Sequence, residues 1–371
     1  MRLTRAEIDL NALASNVRAI RSHLPGGMKI MGLVKANAYG HGLVAVAQAL
    51  VRFGIDYLGV GFLEEGVVLR EHGITSPILV LGGVLGHQVK DFFEHDLEIT
   101  VSSIELARRI EEESRETFHT RVRVHLKIDT GMERLGVHSE RALPFIEEVA
   151  KLQHVEIVGI YSHFATADEK DKSFAHEQLR RFCSLIDQIR ERGIDPPLVH
   201  IANSGAVVDL PESYCTMVRP GIMLYGYYPS KETSESILLK HVLSLKSRVV
   251  FLKEVDAGTS ISYGRLYTTK TRTKIATVPV GYGDGYNRKL TNRGEVLIRG
   301  RRYPVVGAVC MDQIMIDVGL EADIHVGDDV VLLGSDHGES ISAWDIADKV
   351  GTIPYEIFTG ITARVPRIFI Q

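Results

Sequence analysis

Between residue 29 and about residue 226, short apolar runs alternate with amphipathic helical patterns, and few folds can absorb so many alternations in one chain. The runs at 29–35, 57–62, 77–82, 98–102, 121–129, 156–164, 198–203 and 216–226 are rich in Val, Ile and Leu, as strands buried on both faces are. Apolar residues spaced by threes and fours occupy 43–53, 64–72, 89–95, 104–117, 139–152 and 173–192, with a shorter helical pattern after Ser204. Gly54, Gly73 and Gly193 follow three of these patterns as C-terminal caps do. The alternation predicts a (β/α)8 barrel of the TIM type. A doubly wound parallel sheet is the alternative, but no Gly-x-Gly-x-x-Gly fingerprint follows the first strand.

Beyond about residue 235 the pattern changes. Helical signal nearly vanishes, and β-like runs at 243–254, 274–279, 295–299, 303–309, 315–317, 329–333 and 365–370 are punctuated by Gly281, Asp284-Gly285, Gly300 and Gly327-Asp328. One short helix at 342–350 interrupts them. The reading is an α/β barrel over 1–235 and a mostly-β domain over 236–371. Polar residues 228–235 serve as linker, and residues 1–9 are available to pack with the β domain.

Composition narrows the function classes. A net charge of −4, from 43 basic and 47 acidic residues with neither sign gathered in a tail, argues against nucleic acid and anionic membranes as partners. No apolar run approaches the roughly 18 residues of a membrane span, and the first residues, Met1-Arg2-Leu3-Thr4-Arg5, lack the apolar stretch of a signal peptide. Cys183, Cys215 and Cys310 are odd in number and far apart, which fits a reducing cytoplasm. Neither His-Glu-x-x-His nor Cys-x-x-Cys occurs, so no metal site is expected.

A barrel places its active site at the C-terminal ends of its strands, and the polar residues at those ends form a consistent set. Lys35 and Tyr39 lie in Val34-Lys35-Ala36-Asn37-Ala38-Tyr39-Gly40-His41-Gly42, where the first strand meets a glycine-rich turn. Burial there can lower a lysine's pKa and leave a nucleophilic amine, able to form a Schiff base with a carbonyl cofactor whose phosphate Tyr39 could hold. Lys127, Asp129 and Arg134 follow strand five, Ser162-His163-Phe164 end strand six, Asn203-Ser204-Gly205 end strand seven, and Arg219-Pro220-Gly221-Ile222 lie in or beside strand eight. Taken singly each has a plainer reading. Lys127 in an apolar strand could mark a misplaced strand end, His163 could be a core histidine, and Arg134 and Arg219 could be structural ion-pair partners. Ser204 could be an N-cap or offer a hydroxyl to a phosphate at a helix N-terminus.

Over essentially its whole length the chain resembles the alanine racemase family, fold-type III pyridoxal-phosphate enzymes. The motifs that carry the resemblance are Val34–Gly42, Lys127–Gly136, Ser162-His163-Phe164, Arg219–Gly226, Gly258-Thr259-Ser260-Ile261-Ser262-Tyr263-Gly264, Gly281–Tyr286, Cys310-Met311-Asp312-Gln313 and Arg364-Val365-Pro366-Arg367. The resemblance implies that Lys35 carries pyridoxal phosphate and acts as one base, with Tyr263 as the second. It implies phosphate or cofactor contacts from Tyr39, Asn203, Ser204, Gly221, Ile222 and Tyr355, with Arg219 at the pyridine nitrogen and His163 beside the ring. Arg134 would contact the cofactor's phenolic oxygen and the substrate carboxylate, and Met311 and Asp312 would line the substrate side. Lys127 stands at the position that is carbamylated in family members. The expected partners are a small amino acid and a second copy of the chain, in a head-to-tail homodimer that brings Tyr263 over the other subunit's barrel. The implied reaction interconverts L- and D-alanine by two bases on opposite faces of the α-carbon, supplying D-alanine for peptidoglycan.

A phenol is a poor base unless positive charge lies near it, and the pair His163 and Arg219 is the expected source. Gly283, Pro354 and Phe358-Thr359-Gly360 depart from the family's commonest residues, which leaves the reaction type intact and bears on selectivity for alanine. A serine racemase, a decarboxylase of basic amino acids and a barrel-only cofactor carrier are the rival readings. The decarboxylase would need a carboxylate where Arg219 stands, and the carrier would lack the β domain and Tyr263.

Overall fold

The structure is a computed structural model and describes residues 2–118 and 121–371. Met1, at the head of the N-terminal stretch read above, lies outside the described residues. The chain divides into two compact units. One comprises Leu13–Ala38 and Leu43–Lys240, the other the chain up to Ala12 with Tyr39–Gly42 and His241–Gln371.

Strand β1 (Arg5–Asp9) belongs to the second unit. The first unit is built on β2 (Lys29–Leu33), β3 (Tyr57–Val60), β4 (Ile78–Val80), β5 (Glu98–Val101), β6 (Val122–Asp129), β8 (Val155–Tyr161), β9 (Leu198–His200) and β10 (Met217–Val218), with β7 (Val137–His138) as a short side pair of β6. The order is β10-β2-β3-β4-β5-β6-β8-β9, parallel throughout. The last strand thus pairs with the first. Thr216 N donates to Val199 O at 3.1 Å and Arg219 N to Ala202 O at 2.9 Å, nearly closing the circle. A doubly wound sheet would leave the first and last strands apart, so the alternative falls and the barrel stands.

Burial explains the composition of these strands. Every residue of β5, and β6 from Val124 to Asp129, is buried, so alternation of apolar and polar residues is absent. Helices cover the outside, including Leu43–Arg52, Leu63–Glu71, Ile104–Glu113, Ser139–Val149 and Ser173–Glu191. Ser103 caps one of them by accepting from Leu106 N. Gly54, Gly73 and Gly193 follow their helices with φ of 86°, 79° and 77°. Among the described residues no helix is long and apolar enough to cross a membrane.

The second unit is mostly strand. Its largest sheet runs β17-β16-β19-β11-β1-β21, with β20 attached to β19. In chain order its strands are β11 (Leu243–Arg248), β12 (Phe251–Val255), β13 (Ser260–Ile261), β14 (Tyr267–Thr268), β15 (Thr273–Val278), β16 (Glu295–Ile298), β17 (Arg301–Pro304), β18 (Ile314–Asp317), β19 (Asp329–Asp336), β20 (Glu339–Ile341) and β21 (Arg367–Ile370). Strand β1 sits between β11, antiparallel, and β21, parallel. The run 243–254 is two strands in different sheets, and β12, β15 and β18 make a three-stranded sheet of their own.

Three details differ from the sequence reading. The helix Leu10–His23 is additional, with Leu10, Leu13, Val17 and Ile20 buried at helical spacing. The eighth strand shrinks to Met217–Val218, because Pro220 has no N–H for a ladder and a 3₁₀ turn, Ile222–Tyr225, begins just after it. Residues 228–235, expected as a linker, are hydrogen-bonded within the barrel unit: Lys170 N donates to Glu232 Oε2 at 2.6 Å.

Candidate active site

The cavity of the barrel unit has a volume of about 350 Å³ and opens at the C-terminal ends of the strands. Lys35, Lys127, Arg134, His163 and Arg219 line it together with Tyr161, Leu33 and Leu81. Five groups that can carry positive charge thus share a small space with apolar walls.

Lys35 lies just past β2, separated from it by Val34. Ala36, Asn37, Ala38 and Tyr39 then adopt φ of 52°, 56°, 53° and 53°, a left-handed turn of four non-glycine residues. L-residues pay on the order of 1–2 kcal/mol each for that conformation. Neighbouring contacts hold it: Ala38 N donates to Val34 O at 2.7 Å, and Asn37 Oδ1 accepts from Leu43 N at 2.8 Å, capping the following helix. Glu65 Oε2 accepts from Gly61 N at 2.8 Å alongside. Burial, then the charges of Arg134 and Arg219, lower the Lys35 pKa against the opposing pull of Glu65.

Lys127 is 5% exposed, well inside β6, which disposes of the misplaced strand end. Its Nζ donates to Ile128 O at 2.9 Å and lies 5.2 Å from the centroid of the Tyr161 ring. Burial, followed by Arg219, pushes its pKa down to about 7. Asp129 shapes the loop that carries Arg134. Its Oδ1 accepts from Gly131 N and Met132 N, both at 2.8 Å, and its Oδ2 from Arg134 N at 3.3 Å. Burial would raise the Asp129 pKa, but these backbone donors and Lys127 outweigh it and keep the carboxyl below its ordinary value.

Arg219 is 2% exposed and has no carboxylate partner among the described residues, so the structural ion-pair reading finds no support there. Nη1 bonds His200 Nδ1 at 2.8 Å, and Nη2 donates to Ser162 O at 2.8 Å and Ile201 O at 3.2 Å. Nη2 also reaches His163 Nδ1 at 3.2 Å. A guanidinium only donates, so His163 Nδ1 accepts and its proton sits on Nε2. Burial, Arg219 and Lys127 hold the His163 pKa well below its usual value. That corrects the expectation that His163 and Arg219 both supply positive charge: Arg219 alone does, and His163 contributes a hydrogen-bond donor.

Each of the residues expected to contact a phosphate belongs to one unit or the other. In the barrel unit, Asn203 rather than Ser204 is the N-cap, its Oδ1 accepting from Ala206 N at 3.1 Å. Ser204 Oγ accepts from Gly221 N at 2.9 Å, and Gly221 precedes the turn that Ile222 opens. In the β unit, Tyr39 and Tyr355 rings pack with centroids 5.9 Å apart. Pro354 is the first residue of the helix Pro354–Thr359, where its missing N–H costs nothing.

Tyr263 lies in the short turn Tyr263–Arg265 between β13 and β14 and is 74% exposed. Ser262, with φ of 66°, and Arg265, with φ of 54°, flank it in strained conformations. Ser262 Oγ is tied down by donating to Ala308 O at 2.8 Å. Met311 is 52% exposed, and Arg364 Nη2 holds Asp312 Oδ1 at 2.6 Å. At Gly283 a Cβ would meet the Arg364 guanidinium, the far end of a half-exposed side chain that can move aside, so the structure gives no firm reason for the departure there.

Sequence reasoning missed several residues that build this site. Tyr161 stacks on His200 at 4.9 Å and 2°, and its hydroxyl bonds Thr100 Oγ1 at 2.8 Å. Buried Gln178 donates to His163 O at 3.1 Å and accepts from Ala165 N at 2.9 Å, clamping the loop after β8. The signal available was polarity: His125, His200 and Glu98 each interrupt an apolar strand.

Comparison with known proteins gives the family and the fold. The model of the alanine racemase N-terminal domain matches residues 8–229, and that of the alanine racemase C-terminal domain matches 242–369. The alanine racemase of Halothermothrix orenii is 49% identical over 366 residues, covering 99% of this chain and 96% of the relative. Alanine racemase 2 of Caldanaerobacter subterraneus subsp. tengcongensis is 47% identical over 372 residues, covering 100% and 95%. The solved alanine racemase of Clostridium difficile 630 superimposes with a TM-score of 0.95 at 40% identity, covering 100% and 96% of the two chains. That of Bacillus anthracis, solved with bound L-Ala-P, gives 0.92 at 39% identity over 100% and 96%.

Proposed function

This chain belongs to the alanine racemase family, and from that premise we propose that Lys35 and Tyr263 are the two acid–base groups of a pyridoxal-phosphate-dependent interconversion of L- and D-alanine. The protein is an isomerase, and its D-alanine serves peptidoglycan synthesis. The observation that carries the assignment is Lys35, its pKa lowered by burial and by Arg134 and Arg219, sharing one cavity with both arginines.

Pyridoxal phosphate fits the donor set. A cavity of about 350 Å³ has room for a small aromatic ring, its apolar walls suit the ring faces, and its cationic groups suit an anion. When bound, the cofactor supplies an aldehyde for the Lys35 amine and a conjugated ring that acidifies the substrate's α-hydrogen. Arg219 would meet the ring nitrogen as a fixed donor, and His163 would lie beside the ring. Tyr39, Asn203, Ser204, Gly221, Ile222 and Tyr355 would hold the phosphate. Arg134 would bind the substrate carboxylate, with Met311 and Asp312 on the substrate side.

A lowered pKa raises the fraction of Lys35 present as free amine near neutrality, where it can accept a proton from the α-carbon. Tyr263 would work from the opposite face. We assign it to the partner subunit's site in a head-to-tail homodimer, where the Nε2–H of His163 and the charge of Arg219 stabilise its phenolate. An amine with a pKa near 7 suits carbamylation of Lys127, which would place an anion beside Arg134 and orient it. The absence of a membrane-spanning helix among the described residues and the cysteine pattern are consistent with a cytoplasmic enzyme.

The test is α-proton exchange in heavy water. Purified protein with pyridoxal phosphate and L-alanine should lose the α-proton signal and the optical rotation together, and Lys35→Ala should lose neither. Exchange with rotation retained would mean that only one face works and Tyr263 is not the second base. No exchange would overturn the alanine assignment.

A further inference from the structure

Behind Arg219 lies a buried hydrogen-bonded chain that crosses the barrel interior. Glu98 begins β5 at the end opposite the cavity, His125 lies midway along β6, and His200 ends β9. Glu98 Oε2 lies 2.9 Å from His125 Nε2, His125 Nδ1 lies 3.0 Å from His200 Nε2, and His200 Nδ1 lies 2.8 Å from Arg219 Nη1. Glu98 and both histidines are no more than 1% exposed. Strand β8 runs between β6 and β9, and the contact between the histidines needs a gap in it. Gly159 provides the gap, because a Cβ there would overlap the His125 ring.

The polarity of the chain follows from its ends. Arg219 can only donate, so His200 Nδ1 accepts and His200 carries its proton on Nε2. That proton points at His125 Nδ1, which therefore accepts, leaving the His125 proton on Nε2 directed at the Glu98 carboxylate. Both imidazoles are neutral Nε2–H tautomers, and every bond runs in one direction from arginine to carboxylate. Such aligned chains polarise and strengthen one another. The surroundings keep the rings in place: Tyr161 stacks on His200, and Tyr57 and Tyr161 each meet the His125 ring edge at 72°. Arg123 Nε holds the other Glu98 oxygen at 3.2 Å. Burial, with Arg219 next, holds the His200 pKa well below its ordinary value, in keeping with a neutral ring.

We propose that Glu98 and His125 are positioning residues for Arg219, acting through His200 to fix the tautomers that give its guanidinium one orientation toward the cavity. Loss of the Glu98 acceptor lets His125 move its proton to Nδ1. Two donors then face each other at His200 Nε2, and moving the His200 proton to Nδ1 to relieve that clash presents an N–H to the arginine. Arg219 loses its Nη1 partner and is left to its Nη2 bonds with Ser162 O, Ile201 O and His163 Nδ1, which fix its direction less tightly. The role of Arg219 rests on the racemase reading, but the proton positions do not.

Neutron diffraction from the deuterated holoenzyme tests the chain directly. Deuterium on Nε2 and none on Nδ1 of both His125 and His200 is expected, and deuterium on Nδ1 of either ring overturns the proposal. Kinetics of two variants adds a second arm. Glu98→Gln keeps an acceptor oxygen and should stay within about twofold of wild type, whereas Glu98→Leu should lower kcat on the order of tenfold or more with little change in KM. Equal behaviour of the two variants, whether both active or both impaired, sinks the idea. An inactive wild-type protein with the expected protons would instead refute the racemase reading and leave the tautomer chain standing.

Discussion

The residues assigned to catalysis live in two very different settings. In the barrel unit, Lys127 and Arg219 are almost wholly buried, and each is held by named hydrogen bonds. In the β unit, Tyr263 is 74% exposed and Met311 52% exposed, on a short turn and a loop. Buried groups have their protonation set by their own neighbours, as the lowered values of Lys35, Lys127 and His163 show. An exposed phenol has no such surroundings and must find them elsewhere. The barrel groups are tuned where they stand, and under the proposed assignment Tyr263 must acquire its surroundings from another surface.

The comparison breaks most cleanly at its buried end. Lys35→Ala should remove both α-proton exchange and racemisation, a loss of at least about 10⁴-fold, because it deletes a base and the cofactor's attachment. Retained exchange after that substitution would take Lys35 out of the mechanism. At the exposed end, Tyr263→Phe should reduce racemisation by roughly 10²–10⁴-fold while leaving exchange measurable from one enantiomer.

The two variants together sharpen the point. If Tyr263 serves the partner's barrel, mixing inactive Lys35→Ala and Tyr263→Phe chains rebuilds intact sites. Random pairing makes half the dimers mixed, each with one intact site of two, so about a quarter of wild-type activity should return. No recovery from freely exchanging dimers would mean that each chain completes its own site.

A third variant probes why the tuned half carries arginine at the ring nitrogen. Arg219→Glu should lower racemisation by on the order of 10²-fold or more and yield pyruvate from L-alanine, up to one per cofactor, since a carboxylate would keep the ring nitrogen protonated, make the ring a stronger electron sink and favour transfer of the amino group to the cofactor. Pyruvate no higher than in wild type would show that arginine does not protect reaction specificity.

The same contrast governs what was readable beforehand. Parallel strands buried on both faces announce themselves as apolar runs, so all eight barrel strands could be located from Ile30, Leu58, Leu79, Ile99 and their counterparts. Lys35, Lys127, Arg134, His163 and Arg219 could be gathered because strand ends share one face, and all five line the cavity. Three-dimensional partners could not be read. Nothing in residue type predicts a left-handed turn at Ala36 and Ala38, which exists because Asn37 caps the next helix and Ala38 bonds Val34. The helix Leu10–His23 has helical spacing, but Asn16 breaks its apolar character. Its buried amide donates to Leu224 O and Lys240 O and accepts from Lys240 N, all more than two hundred residues away. Glu98, His125 and His200 are isolated polar residues in apolar runs, and only the fold lines them up.

The smallest expected effect lies in stability and tests whether burial really tunes the barrel half. Lys127 has a folded-state pKa of about 7 against an ordinary unfolded value near 10.4. Between those values the unfolded chain binds a proton that the folded one does not, so stability rises with pH across the window. The stabilisation is complete above the unfolded pKa and is lost as pH falls through about 7, where the buried amine must carry its charge. Lys127→Met keeps the volume and removes the titration, so its melting temperature should exceed that of wild type at pH 6 and the gap should narrow toward pH 9. Bicarbonate reverses part of the advantage, because carbamylation converts the wild-type amine to an anion beside Arg134 and Arg219. Carbon-13 bicarbonate should then give a carbamate resonance in wild type that Lys127→Met lacks. A constant gap between the two proteins from pH 6 to 9 would show that Lys127 is not held at a lowered pKa, and with it the argument that burial alone prepares this half of the site would fail.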